Sequence, residues 1–178
     1  GEDIFKQTIV INGVSKSYAM TGWRIGYTAG PTEVIKAMSS LQSQVASGSN
    51  SIAQYAAEEA LRSPKGPEEI ERMHKAYDER RRHIVSRLNA IDGLKCVMPK
   101  GAFYVMVDMS ALIGKHLGDR KIAGSMDFAD MLLENANVAL TPGTAFCAEG
   151  YCRISYATSM EQIDKGVDRI EHFVNSLV

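Results

Sequence analysis

Near the start of the chain, the segment Ser15-Lys16-Ser17-Tyr18-Ala19-Met20-Thr21-Gly22-Trp23-Arg24-Ile25-Gly26 gathers one lysine, several hydroxyls and one arginine. A lysine is a nucleophile only when neutral, and its ordinary pKa of about 10.4 means that a reactive one needs desolvation or a cationic neighbour. Arg24 supplies a cation in the same stretch, and its planar guanidinium matches two oxygens of a phosphate. Gly22 and Gly26 lie on either side of it, where a backbone can approach a ligand closely or turn sharply. These parts suit a phosphorylated cofactor. Composition alone favours a plainer reading, a solvated Lys16 and an Arg24 paired with a surface acid, and spacing does not decide between the two. A second candidate is Arg153 in Tyr151-Cys152-Arg153-Ile154-Ser155-Tyr156-Ala157. An arginine among apolar strand residues needs an anion, supplied either by an internal salt bridge or by a bound ligand.

The segment SKSYAMTGWRIGY resembles, nearly residue for residue, the lysine segment of fold-type I, class I/II aminotransferases of the aspartate aminotransferase family. That resemblance implies that Lys16 is the catalytic residue and the covalent anchor of pyridoxal 5'-phosphate. It also implies that Arg24 holds the cofactor phosphate and that Ser15, beside the lysine, is a further cofactor contact. Many family members carry a phosphate-binding serine three residues before the lysine, where this chain has Gly13. RISYATS resembles the family's C-terminal strand, whose arginine clamps the substrate α-carboxylate, and this makes Arg153 the expected substrate-binding residue. PKGAFYVMVD and LTPGTAF resemble the small-domain strand pair and the turn before the arginine strand. Phe103, Tyr104 and Val105 there read as packing, and Pro142-Gly143 as a turn.

The function so implied is transfer of an amino group between an amino acid, of aspartate or aromatic type, and a 2-oxo acid by a homodimer. Ser47 to Ser51 falls where the family's loop approaches the other subunit's site, so Asn50 and Ser51 are candidates for contacts across a dimer, against the plainer reading of a helix-capping loop. Two other readings use the same motifs: a C–S β-lyase, and a cofactor-binding sensor domain of a transcription regulator. The family's other cofactor contacts precede this segment. The chain is therefore expected to be a fragment that is inactive by itself.

The elements that must position these groups follow from pattern. Gln7 to Asn12 and Ile25 to Ala29 read as strands on either side of the lysine loop. Pro31 opens an amphipathic helix to about Val45, with Val34, Ile35, Met38 and Leu41 on one stripe, and a second helix runs from about Ile52 to Arg62. Breakers at Ser63-Pro64-Lys65-Gly66-Pro67 mark a hinge before a long charged helix to about Ala90. Strands are predicted at Lys95–Met98, Phe103–Val107, Val138–Leu140 and Cys152–Ala157, with a loop over 110–125 and a helix from Asp127 to Ala136. Ser159 and Gln162 form a capping box for the last helix. Strands and helices alternate, so the class is α/β or α+β; the resemblance implies an α/β fold in which residues 1–66 form the C-terminal part of a large cofactor domain and residues 67–178 a connector helix with an α+β small domain.

The 178 residues are 45% hydrophobic and 23% charged with a formal net charge of −1. That balance fits a folded domain and gives no field for nucleic acid or an anionic membrane. Three cysteines without CxxC spacing point to free thiols in a reducing, cytoplasmic setting. No metal-ligand spacing is present, and His74, His83, His116 and His172 read as solvated.

Overall fold

The computed structural model describes residues 1–178 and divides into two compact units, Gly1–Arg72 and Met73–Val178. In the first unit, α1 (Glu2–Lys6) precedes β1 (Val10–Gly13), which pairs antiparallel with β2 (Gly26–Ala29). Helices α2 (Thr32–Ala46) and α3 (Ser51–Arg62) follow. The predicted strand thus starts later than expected, because Glu2 and Asp3 at the N-terminal end and Lys6 at the C-terminal end suit a short helix's dipole. Pro31 is the N-cap of α2 rather than its first helical residue. The break between α2 and α3 is built by Ser47 in the left-handed region and by Asn50, whose side chain accepts from the backbone N–H of Ala53 at 3.0 Å. Asn50 therefore caps α3.

Little of this unit is enclosed. Its buried apolar residues are Val14, Met20, Ala53 and Ala57, and α2 buries none of its stripe: Leu41 stays 67% and Val45 74% exposed. Ile4, Phe5, Ile11, Ile52 and Tyr55 are likewise exposed. Apolar surface on this scale suits packing against further structure.

Helix α4 (Gly66–Asn89) has residues on both sides of Arg72. In the second unit, β3 (Lys95–Cys96), β4 (Tyr104–Asp108), β7 (Thr141–Pro142) and β8 (Tyr151–Ser155) form an antiparallel sheet in the order β3-β4-β8-β7. A small hairpin, β5 (His116–Leu117) with β6 (Arg120–Lys121), occupies the stretch predicted as loop, its turn set by Gly118 at φ 59°. Helices α5 (Ser125–Ala136) and α6 (Met160–Asn175) complete the unit. Val105 and Val107 alternate inward along β4, as a half-buried strand requires, and meet Ile84 and Leu88 of α4, Phe128 and Leu132 of α5, and Ile163, Val167 and Ile170 of α6 in one core. Ser159 caps α6 by accepting from Gln162 N–H at 3.3 Å.

The strand predicted at Val138–Leu140 is not formed; pairing with β8 begins instead at Thr141. Residues after α5 are taken up in leaving the helix, with Asn137 left-handed and its N–H donating to Leu133 O. His83, read as solvated, is half-buried: its Nε2 lies 2.6 Å from Asp164 Oδ1, and Arg87 Nη1 donates to the same oxygen, tying α4 to α6. Apolar spacing could not forecast this pair, because its two residues lie far apart in sequence. No helix is long and apolar enough to cross a membrane.

Candidate active site

The lysine loop is closed at its base by two glycines. Gly13, the last residue of β1, stands in register with Gly26, the first of β2. A Cβ added at Gly13 would lie 3.2 Å from Ile25 O, and one at Gly26 3.1 Å from Asn12 O, so the strands meet where side chains would crowd. The chain's departure from the family serine at this position coincides with that close approach.

Between the glycines, Val14 and Met20 are buried against Ala57 of α3, which fixes the loop to the helix at both shoulders. The residues between them are folded into turns by their own backbone: Tyr18 N–H donates to Val14 O at 3.2 Å and Met20 N–H to Ser15 O at 3.1 Å. Burial of the shoulders and hydrogen bonding of the crest leave Ser15 half-buried and Lys16 exposed. A 3₁₀ turn, Thr21–Trp23, then ends at Arg24, which is left-handed at φ 52° and donates from Nη1 to Thr21 O at 2.9 Å. Ala19 is left-handed as well, at φ 54°. Non-glycine residues in this region cost about 1–3 kcal/mol each and persist where packing over-determines the backbone. Here the buried shoulders do so.

Two cations thus stand on one loop, and the sequence from Gly13 to Thr32 contains no acid. The remaining guanidinium N–H groups of Arg24 fit phosphate oxygens in a planar fork, and the Lys16 amine fits an aldehyde. The donor set therefore fits a phosphorylated aldehyde cofactor.

Arg153 lies in the second unit, at the middle of β8, opposite Met106 of β4 and Thr141 of β7. It is half-buried, and no carboxylate of its own unit pairs with it. Instead its Cζ lies 4.3 Å from the ring centroid of Tyr104 and 4.4 Å from that of Phe146. Tyr104 reads as packing in the sequence, and Phe146 is given no role there. Strand alternation puts Tyr104 and Met106 on one face, yet only the register shows that this is the face of Arg153. The adjacent Cys152 is turned into the core, and burial pushes its thiol up to about 12, so it stays protonated and has no nucleophilic part.

The approach to β8 is held by Glu149. Its carboxylate accepts from Ser125 N–H at 2.6 Å, from Gly150 N–H at 3.0 Å and from Ser125 Oγ at 3.1 Å, so one side chain caps α5 and fixes the residue before the strand. The Ser125 N–H bond, followed by that from Gly150, holds the carboxyl below the usual glutamate value of about 4.3. A depressed carboxylate contributes stability above its unfolded pKa and loses it as pH falls through the folded one. Glu149→Gln is accordingly expected to unfold more easily than the wild type at pH 6. The difference should shrink as pH falls below the usual glutamate range and through the depressed folded-state value in urea titrations, and a pH-independent difference would contradict this account.

A family model for aminotransferase class I and II matches residues 2–170. The chain belongs to that family. It is 46% identical over 173 residues to the aspartate aminotransferase of Bacillus sp. (strain YM-2), covering 97% of this chain and 43% of that one. It is 45% identical over 170 residues to the aspartate/prephenate aminotransferase of Nitrosomonas europaea, covering 94% and 42%. Among solved structures, an aspartate aminotransferase from Rhizobium meliloti superposes with a TM-score of 0.95 at 42% identity, over 100% of this chain and 44% of that one. An aromatic aminotransferase from Pyrococcus horikoshii superposes with a TM-score of 0.87 at 38% identity. The chain thus spans less than half the length of the relatives it matches, and its mixed α/β fold is the corresponding part of the aminotransferase fold.

Proposed function

We propose that the protein is a pyridoxal 5'-phosphate-dependent aminotransferase that moves an amino group between an amino acid, of aspartate or aromatic type, and a 2-oxo acid. The observation that carries this reading is the lysine loop: Lys16 and Arg24 held by a glycine-closed base and two buried shoulders. The bound cofactor supplies an electron sink for the substrate's α-carbon. Arg24 would take its phosphate, Ser15 would add a hydroxyl contact, and Lys16 would hold its aldehyde carbon covalently, with loss of water. The Lys16 amine would also serve as the base that moves the proton from the substrate α-carbon. Arg153 takes the α-carboxylate and orients the substrate. Residues 1–66 are the end of the cofactor domain, and residues 67–178 are the connector helix and small domain. The working form is a cytoplasmic homodimer.

The test is made on the complete native polypeptide, with aspartate, tyrosine and cysteine as amino donors and with 2-oxoglutarate present or withheld. Glutamate and a keto acid formed only when 2-oxoglutarate is present support the reading. Pyruvate released from cysteine without an acceptor would replace it with a β-lyase, and cofactor bound without turnover would replace it with a sensor. Borohydride reduction followed by peptide mapping is expected to mark Lys16, and a label on another lysine would overturn its assignment.

A further inference from the structure

The environment of Arg153 is unusual for a strand arginine. A half-buried guanidinium ordinarily finds a carboxylate, which fixes it in place but also neutralises it. Here the neighbours are two aromatic rings at 4.3 and 4.4 Å, and a ring face attracts a cation without occupying its in-plane N–H donors. An arginine held by rings keeps both its charge and its fork of donors for something that arrives from outside.

The bracket has its own support. Tyr104 reaches Arg153 diagonally across the β4–β8 ladder, from the position paired with Ser155. Behind it the ring of Phe103 lies 4.4 Å away, followed by Tyr77 of α4 and then Tyr156, each 6.3 Å from the last. Tyr156 is 1% exposed and donates its hydroxyl to Ala102 O at 2.8 Å, so the row ends on a fixed point. Phe146 arrives separately, from the 3₁₀ turn Gly143–Phe146 that precedes β8. One ring is rooted in the core and the other in a loop, and they converge on one guanidinium.

We propose that Tyr104 and Phe146 are positioning residues that pre-order Arg153 for the substrate's α-carboxylate. This rests on the reading of Arg153 as the carboxylate-binding residue. An arginine side chain carries rotamer entropy of about 2 kcal/mol, which a substrate must otherwise offset when it binds. Rings that hold the guanidinium beforehand lower KM for both the amino acid and the 2-oxo acid, since the two share the α-carboxylate, and leave kcat nearly unchanged.

The experiment uses the complete native enzyme in four single variants, Tyr104→Leu, Tyr104→Phe, Phe146→Leu and Arg153→Leu, and the double variant Phe146→Leu/Arg153→Leu. Steady-state kinetics are paired with calorimetric titration of succinate as an unreactive carboxylate. Tyr104→Leu and Phe146→Leu are each expected to weaken succinate and raise both KM values about three- to thirty-fold, with kcat within about two-fold. Tyr104→Phe, which keeps the ring, is expected to stay within about two-fold on all three. In the double variant the loss of Phe146 should add nothing to the loss of Arg153. Phe146 is 42% exposed, so its leucine variant reports even where Tyr104→Leu fails to fold. Leucine variants that bind succinate like the wild type, or an effect of Phe146→Leu that persists without Arg153, would overturn the positioning role. Wild-type succinate binding in Arg153→Leu would instead overturn the reading of Arg153 itself.

Discussion

Replacing Lys16 by alanine in the complete native polypeptide is expected to lower kcat for transamination by about four orders of magnitude or more. A positioned acid–base group is worth about 10²–10⁴ in rate, and the same amine is also required as the covalent anchor. Neither task passes to a neighbour, since no other lysine stands between Lys6 and Lys36. The loop should survive the change: Lys16 is exposed, and the turns around it are made by backbone donors on Tyr18, Ala19 and Met20 while Val14 and Met20 remain buried. Lys16→Arg is expected to fare no better, because a guanidinium keeps its proton and cannot act as the base. Arg24→Ala makes the contrasting case, with cofactor affinity reduced and activity recovered when cofactor is added in excess. The decisive measurements are single-turnover rates together with borohydride labelling. If Lys16→Ala keeps activity within about a hundred-fold of the wild type, or still labels at one lysine, the assigned role is wrong.

The lysine loop stood out in the sequence because its parts are local. Lys16, Gly22, Arg24 and Gly26 lie in one short stretch, and the segment that holds them resembles one family closely. The helices were legible for the same reason, since Val34, Met38 and Leu41 repeat at the period of a helix face and Ser159 with Gln162 marks the start of the last helix. What the pattern could not reveal was whether a stripe would be covered: α6 buries its face while α2 leaves its own open. Burial is a property of partners rather than of period. The surroundings of Arg153 were hidden for a related reason. Tyr104, Phe146 and Arg153 are brought together by strand register and by a turn, and a one-residue slip would have turned Tyr104 to the other face. Glu149 resembles a surface acid in sequence, and only the fold reveals that it caps α5 from a distant loop. The strand expected at Val138–Leu140 fails because exit from α5 uses those residues before pairing can start.

The segment that leads into β8 also carries the largest stability effect we expect. Gly143 is buried at the start of the 3₁₀ turn, and a Cβ placed on it would lie 1.9 Å from Ala148 O and 2.4 Å from Tyr151 O. Both are backbone atoms, so no side chain can swing aside to make room. Ala148 is further held by its N–H, which donates to Gly143 O at 2.9 Å, and Tyr151 by its place in β8. To admit a methyl group the turn must separate from the loop it closes, giving up that bond and the entry to the strand that bears Arg153. Gly143→Ala is therefore expected to destabilise the native polypeptide by about 3 kcal/mol or more, the upper end for an overpacked site. Gly101→Ala supplies the control: nothing lies within 4 Å of its added Cβ, and the change should stay within about 0.5 kcal/mol. Urea midpoints measured for the two variants side by side decide the matter, and a Gly143→Ala midpoint equal to that of Gly101→Ala would show that the turn yields where its geometry says it cannot. Because Phe146 belongs to the same turn, any Gly143→Ala protein that remains folded is expected to show the raised KM values of Phe146→Leu, linking the packing of one glycine to the hold on one arginine.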